Sequence, residues 1–161
     1  MTIDILPEDV LLEIFDFYLN PTRKDYGLEA WCTLVRVCRK WRNIVLESPL
    51  RLNLRIRCYL TTPREKLGVW PAFPIVLVKY HQYPQPAWDM DNVTAAFEQN
   101  NRICQISLSG VPTLQMEEIL AAMHKPFPVL TDLQLRSYHD TVSVDPDLFL
   151  GGSAPCLQSL H

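Results

Sequence analysis

Three short segments of this chain, "RICQISL", "VLTDLQL" and "CLQSLH", carry one apolar pattern at a fixed interval. Ile103, Leu130 and Leu157 follow one another at 27 residues, and Ile106, Leu133 and Leu160 keep the same interval. Leu108 and Leu135 extend the match, and Pro128 and Pro155 precede the second and third copies alike. A fixed interval of this length makes each copy one strand-bearing unit that cannot cover its own apolar surface. Such units must stack on their neighbours.

The segments between the copies complete the unit. "TLQMEEILAAM" places Met116, Ile119, Leu120 and Met123 on one face, which predicts a helix stopped near Pro126. In "SYHDTVSVDPDLFLGGSAP" only a turn near Asp147 to Leu150 reads as helical before Gly151-Gly152 ends it. Upstream, "PIVLVKY" reads as an irregular earlier strand, with Ile75, Val78 and Tyr80 each 28 residues before Ile103, Ile106 and Leu108, and "DNVTAAFEQN" as its helix. The L-x-x-L-x-L pattern resembles the strand of a leucine-rich repeat, whose period of about 20 to 29 residues includes this one. That resemblance implies a short right-handed strand-helix solenoid from about residue 67. The chain stops at His161 inside the third copy without a closing cap, so a truncated product or gene model, or a fragment of a longer receptor, is expected. The other reading is a short protein whose open flank a partner covers.

The N-terminal part obeys a different period. "LPEDVLLEIFDFYL", Leu6 to Leu19, reads as a helix: Pro7 suits the first turn, Glu8 and Asp9 suit the positive end, and no glycine interrupts. Asp9, Glu13 and Asp16 gather in one arc. Val10, Leu11, Ile14 and Tyr18 form a stripe with Pro7, while Leu12, Phe15 and Leu19 form a second stripe turned away from it. One stripe is enough for an ordinary surface helix. Two stripes require either two apolar partners, one of them a different protein, or a central helix buried all round by its own domain. "EAWCTLVRVCRKWRNIVLESP" repeats apolar residues at Trp31, Leu34, Val35, Cys38, Trp41 and Val45, which predicts a helix or a pair of short helices ending at Ser48-Pro49. Between the two lies the polar loop "NPTRKDYGL".

At these residues the chain resembles the F-box, a three-helix module that docks on the Skp adaptor of cullin-RING ubiquitin ligases. "LPEDVLLEIFDFY" is similar to the family's opening Leu-Pro, acidic residues, paired aliphatics and Ile-Phe, and "LVRVCRKWR" to its later Leu, Val-Cys and Trp-Arg pattern. The resemblance implies that one stripe is buried in the module and the other is offered to the adaptor. Carried over by residue, the adaptor-binding set is Leu6, Pro7, Leu11, Ile14, Leu34, Val37, Cys38 and Trp41, with Leu12, Phe15 and Leu19 facing inward. Tyr18 stands where the family usually has leucine, and the loop from Asn20 to Leu28 is longer than in compact members. "FLGGSAPCLQSL" also resembles repeats in many fungal F-box proteins.

Composition narrows the function classes. With 161 residues, 48% of them hydrophobic, 20% charged and a net charge of −3, the chain is ordinary globular material. No stretch approaches the roughly 18 apolar residues of a membrane span, and the acidic N-terminus is unlike a secretory signal, so a cytoplasmic or nuclear location is expected. Five widely spaced cysteines without C-x-x-C suggest neither a disulfide framework nor a zinc site. His81, His124, His139 and His161 are scattered without metal-ligand spacing. Cys38 lies on an apolar stripe with no local base, Glu117 and Glu118 diverge on their helix, and Asp145 and Asp147 flank a proline. None of these makes a catalytic group. Basic residues cluster at Arg36, Arg39, Lys40 and Arg42 and again from Arg51 to Lys66, yet the negative net charge and the lack of a recognition-helix motif argue against nucleic acid. Trp70, Phe73, Tyr80, Tyr83 and Trp88 serve either as a binding platform or as packing for the first repeat.

The expected fold class is α+β: an N-terminal three-helix F-box followed by a short α/β leucine-rich-repeat solenoid. The expected domains are residues 1–50 as F-box-like, 51–90 as linker and irregular first repeat, and 91–161 as leucine-rich repeats incomplete at the C-terminus. The resemblance implies a substrate receptor with no catalytic, cofactor or metal residue, whose partners are a Skp-type adaptor, through it a cullin-RING ligase, and an unknown target protein, with no nucleic acid and no membrane. The alternative is a Skp-independent protein-binding scaffold.

Overall fold

The structure, a computed structural model, describes residues 6–19, 30–59, 64–69, 71–79, 90–137 and 149–161. The expected loop 20–28, residues 80–88 of the proline-rich junction and the connector 138–148 lie outside the described residues, and with them His81, His139, Asp145 and Asp147. The chain divides into two units, Met1–Ile56 and Arg57–His161.

In the first unit, α1 (Glu8–Leu19) opens directly after Pro7, whose carbonyl accepts the Leu11 N–H at 3.2 Å, and carries Glu8 and Asp9 in its first turn. Leu11 and Phe15, four residues apart and hence on one face, are fully buried. The second apolar segment is a pair of helices: α2 (Trp31–Leu34) and α3 (Arg39–Glu47). A tight turn joins them, in which Val35 N–H bonds to Trp31 and Val37 N–H to Leu34. Cys38 is extended, with φ −156° and ψ 173°, and this single residue breaks the helical path. Ile44 and Val45 of α3 are buried, as are Leu52 and Leu54 beyond it. As Pro49 predicts, α3 ends before it, and the Pro49 carbonyl accepts the Leu54 N–H at 2.8 Å to close the following turn.

The second unit alternates strands and helices. β1 (Ile56–Tyr59), α4 (Arg64–Val69), β2 (Ile75–Val78), α5 (Met90–Phe97), β3 (Ile103–Val111), α6 (Thr113–Ala122), β4 (Asp132–Ser137), a 3-10 turn (Phe149–Gly152) and β5 (Ser159–Leu160) follow in chain order. The strands lie side by side in that same order in one five-stranded sheet, and the pairs from β2 to β5 are parallel. Parallel neighbours need a long return connection, which α5, α6 and the connector containing the 3-10 turn provide.

The 27-residue interval is the register of this sheet. Ile106 pairs with Leu133 and Leu133 with Leu160, Leu108 pairs with Leu135, and Gln105 with Asp132. Residues in register share a face, so repeated leucine and isoleucine positions build one apolar layer. Ile75, Leu77, Ile103, Ile106, Leu108, Leu130 and Leu133 are buried there with Met116, Ile119 and Met123 of the α6 segment. Phe97 and Phe127 meet edge-on beneath the sheet, ring centroids 6.1 Å apart at 84°.

Three expectations change. The solenoid becomes a coarser finding: a mixed helix-and-strand unit whose strands form one parallel sheet. Segment 51–90 contains β1 and α4, which no periodicity announced, besides β2. Among the described residues the 28-residue offset expected for β2 holds at Ile75, which pairs with Ile103, and fails at Val78: a register shift between Ile75 and Val76 sets Leu77 opposite Ile106 and Val78 opposite Ser107, while Tyr80 lies outside the described residues. The bulge moves the apolar row from Val78 to Leu77 because an inserted residue exchanges the faces beyond it.

Candidate functional site

The helical unit leaves half of its first helix uncovered. With successive residues turned by about 100°, Leu11 and Phe15 mark the buried direction, and Leu12 and Leu19 on its edge are half-buried. On the other side of Leu11 lie Tyr18, Pro7, Ile14, Val10 and Phe17, in that angular order, and all five are exposed. Val10 and Ile14 are 43% exposed and Phe17 is 81% exposed. Beyond them come Glu13, Asp9 and Asp16, the acidic flank. The helix therefore carries a continuous apolar arc of which the unit buries only part. Each large side chain left in water forgoes about 1.5 to 3 kcal/mol.

The eight residues expected to meet an adaptor divide accordingly. Pro7, Ile14 and Val37 are exposed, Val37 at 52%. Leu6, Cys38 and Trp41 are half-buried. Leu11 and Leu34 are buried: Leu11 sits about 40° from Phe15 around the helix and lies inside with it. Trp41 packs edge-on against Phe15, centroids 4.7 Å apart at 61°, and its indole Nε1 is buried with no hydrogen-bond partner among the described residues. Sequence reasoning passed over Phe17, the most exposed apolar residue of α1. Its position beside the acidic arc put it in neither stripe, although its spacing of three from Ile14 was the available signal.

Charge surrounds this face. Lys40 Nζ donates to the Leu6 carbonyl at 2.9 Å, fastening α3 to the chain two residues before α1. Arg42 Nε donates to the Val35 carbonyl at 3.0 Å, and Arg51 donates to Glu13. Arg36, Arg39 and Arg42 are all exposed.

The parallel sheet offers a second, polar face. Gln105, Ser107 and Ser109 alternate with the buried Ile106 and Leu108, and their register partners Asp132, Gln134 and Arg136 share that face. Ser107 Oγ donates to Gln134 Oε1 at 3.1 Å. Beside it Lys79 Nζ donates to the Gly110 carbonyl, and partial burial pushes the Lys79 amine below its usual range. His124, His161 and Cys156 are exposed and separate. Among the described residues no group of His, Cys, Asp and Glu is arranged to hold a metal, and no helix is long and apolar enough to cross a membrane.

Residues 3–57 match the F-box-like family model. That span contains α1, α2, α3 and the exposed apolar stripe, so the chain carries an F-box-like domain at its N-terminus. A domain of this kind suggests an adaptor role in ubiquitin ligase complexes and typically binds Skp-type adaptors. Neither a curated protein nor a solved structure matches the chain.

Proposed function

We propose that this chain is a substrate receptor that links a target protein to a Skp-cullin-RING ubiquitin ligase. The observation that carries the reading is the exposed stripe Pro7, Val10, Ile14, Phe17 and Tyr18 inside a segment that matches the F-box-like model. In this reading Leu6, Pro7, Ile14, Val37, Cys38 and Trp41 touch the adaptor, while Leu11 and Leu34 support them from beneath. The sheet unit is a short array of leucine-rich repeats, a reading supported by its 27-residue register, and its polar face presents the target. The work is done by proximity: holding a target lysine near a loaded ubiquitin enzyme raises its effective concentration, and no residue of this chain needs to react. Such a receptor works in the cytoplasm or the nucleus.

The burial of Leu11 and Leu34 favours one rival, a scaffold whose helical module meets no adaptor. Co-expression with a Skp-type adaptor, followed by size-exclusion chromatography with mass determination, separates the two. A one-to-one complex that Ile14→Ala with Val37→Ala weakens at least about tenfold supports the receptor. Both side chains are exposed, so the double variant should keep its fold. A well-behaved monomer that ignores the adaptor supports the scaffold.

A further inference from the structure

The first turn of α3 runs against helix electrostatics. Arg39, Lys40 and Arg42 put three cations where the backbone N–H groups already carry positive potential, and Cys38 supplies no side-chain cap. A sequence that breaks a local rule without internal compensation commonly does so for function. Lys40 has a use within the unit, since it binds the Leu6 carbonyl. Arg36 and Arg39 are exposed, and among the described residues neither has a carboxylate partner. Arg42 is also exposed, and its bond to the Val35 carbonyl holds its guanidinium at the turn that displays Val37. The Lys40–Leu6 bond brings this cationic turn next to the start of α1, where the apolar stripe begins at Pro7. Apolar surface and cationic rim are therefore neighbours.

We propose that the adaptor covering the α1 stripe carries an acidic patch that seats on Arg36, Arg39 and Arg42, and that this charge pairing sets the rate and salt dependence of association. The inference rests on the adaptor reading above and adds the chemistry of the partner's surface. Burial of the stripe holds the complex together, while opposite charges guide the encounter and fix its orientation.

The test is stopped-flow association of the full chain with a purified Skp-type adaptor over a salt series. The wild-type association rate should fall steadily with salt. Arg36→Glu with Arg39→Glu should lower it about tenfold at low salt and flatten the dependence, with little change in dissociation, whereas Arg36→Lys with Arg39→Lys should retain both. Circular dichroism and the melting temperature check that the variants fold, and Arg36→Gln with Arg39→Gln repeats the measurement should charge reversal unfold the unit. Wild-type binding whose rate ignores salt, or charge-reversed chains with wild-type rates, overturns the acidic patch and leaves the adaptor reading standing. A wild-type chain that fails to bind at any salt overturns both. A self-associated chain that charge reversal dissolves assigns the arginines to the acids of a second copy and overturns the proposal.

Discussion

Phe15 and Trp41 meet edge-on, ring centroids 4.7 Å apart, and this contact joins α1 to α3. It makes Trp41 a packing residue whatever else it touches. Phe15→Ala should destabilise the helical unit by about 3 to 5 kcal/mol, because a fully buried ring leaves a cavity that its neighbours cannot fill. Ile14→Ala, one residue earlier but exposed, should change stability by no more than about 0.5 kcal/mol. Denaturant unfolding followed by tryptophan fluorescence measures both. Equal effects would mean that the buried face of α1 is misassigned.

Gly151 and Gly68 should respond oppositely to alanine. Gly151 has φ +57°, and a Cβ there would sit 2.6 Å from the backbone nitrogen of Pro126. Gly151→Ala should therefore cost at least about 2 kcal/mol. Gly68 lies in α4 with open space around its Cβ direction, and Gly68→Ala should add about 0.5 to 1 kcal/mol through helix propensity. Thermal melts of the two variants against wild type give the sign.

Arg102 secures the entry to β2. Its guanidinium donates to the Phe73 carbonyl, from Nε at 3.2 Å and Nη2 at 3.0 Å, to the Pro71 carbonyl, and to Gln99 Oε1 at 3.3 Å. Arg102→Ala should cost about 1 to 3 kcal/mol by stranding these acceptors, and Arg102→Lys should recover only part because an ammonium cannot fork. Hydrogen exchange should speed up first at the Phe73 and Ile75 amides. Unchanged exchange there would remove Arg102 from this role.

Glu98, just past α5, accepts from Arg64 of α4, and that hydrogen bond holds its carboxyl below the usual range. A folded-state pKa below the unfolded one means that the contribution is present above the unfolded value and is lost as pH falls through the folded one. Both groups are exposed, so the effect is small and weakens with salt. The carboxyl titration followed by NMR should shift upward in Arg64→Ala. Identical midpoints in the two chains would show that the pair does not form in solution.

Much of this architecture was legible in the sequence. The 27-residue interval is the sheet register from β3 to β5 because parallel strands in sequence order, joined by connections of equal length, must place equivalent residues opposite one another. The apolar face of α6 was readable from Met116, Ile119 and Met123 for the same reason that any helix sorts its faces. β1 and α4 were not legible, since "IRCY" has no counterpart at the repeat interval, by which the equally short β2 was read, and a six-residue helix is too short for a period of its own to emerge.

By itself the sequence determined that α1 has more apolar surface than one interface needs, which follows from spacing alone. Only the tertiary structure decided where the division falls. Leu11 and Ile14 differ by about 60° around one helix, and nothing local distinguishes them; the position of α3, with Trp41 set against Phe15, draws Leu11 inside and leaves Ile14 and Phe17 in water. The β2 register was decided the same way. One inserted residue exchanges Val78 for Leu77, because only packing against Ile106 selects which face of a short apolar strand turns inward.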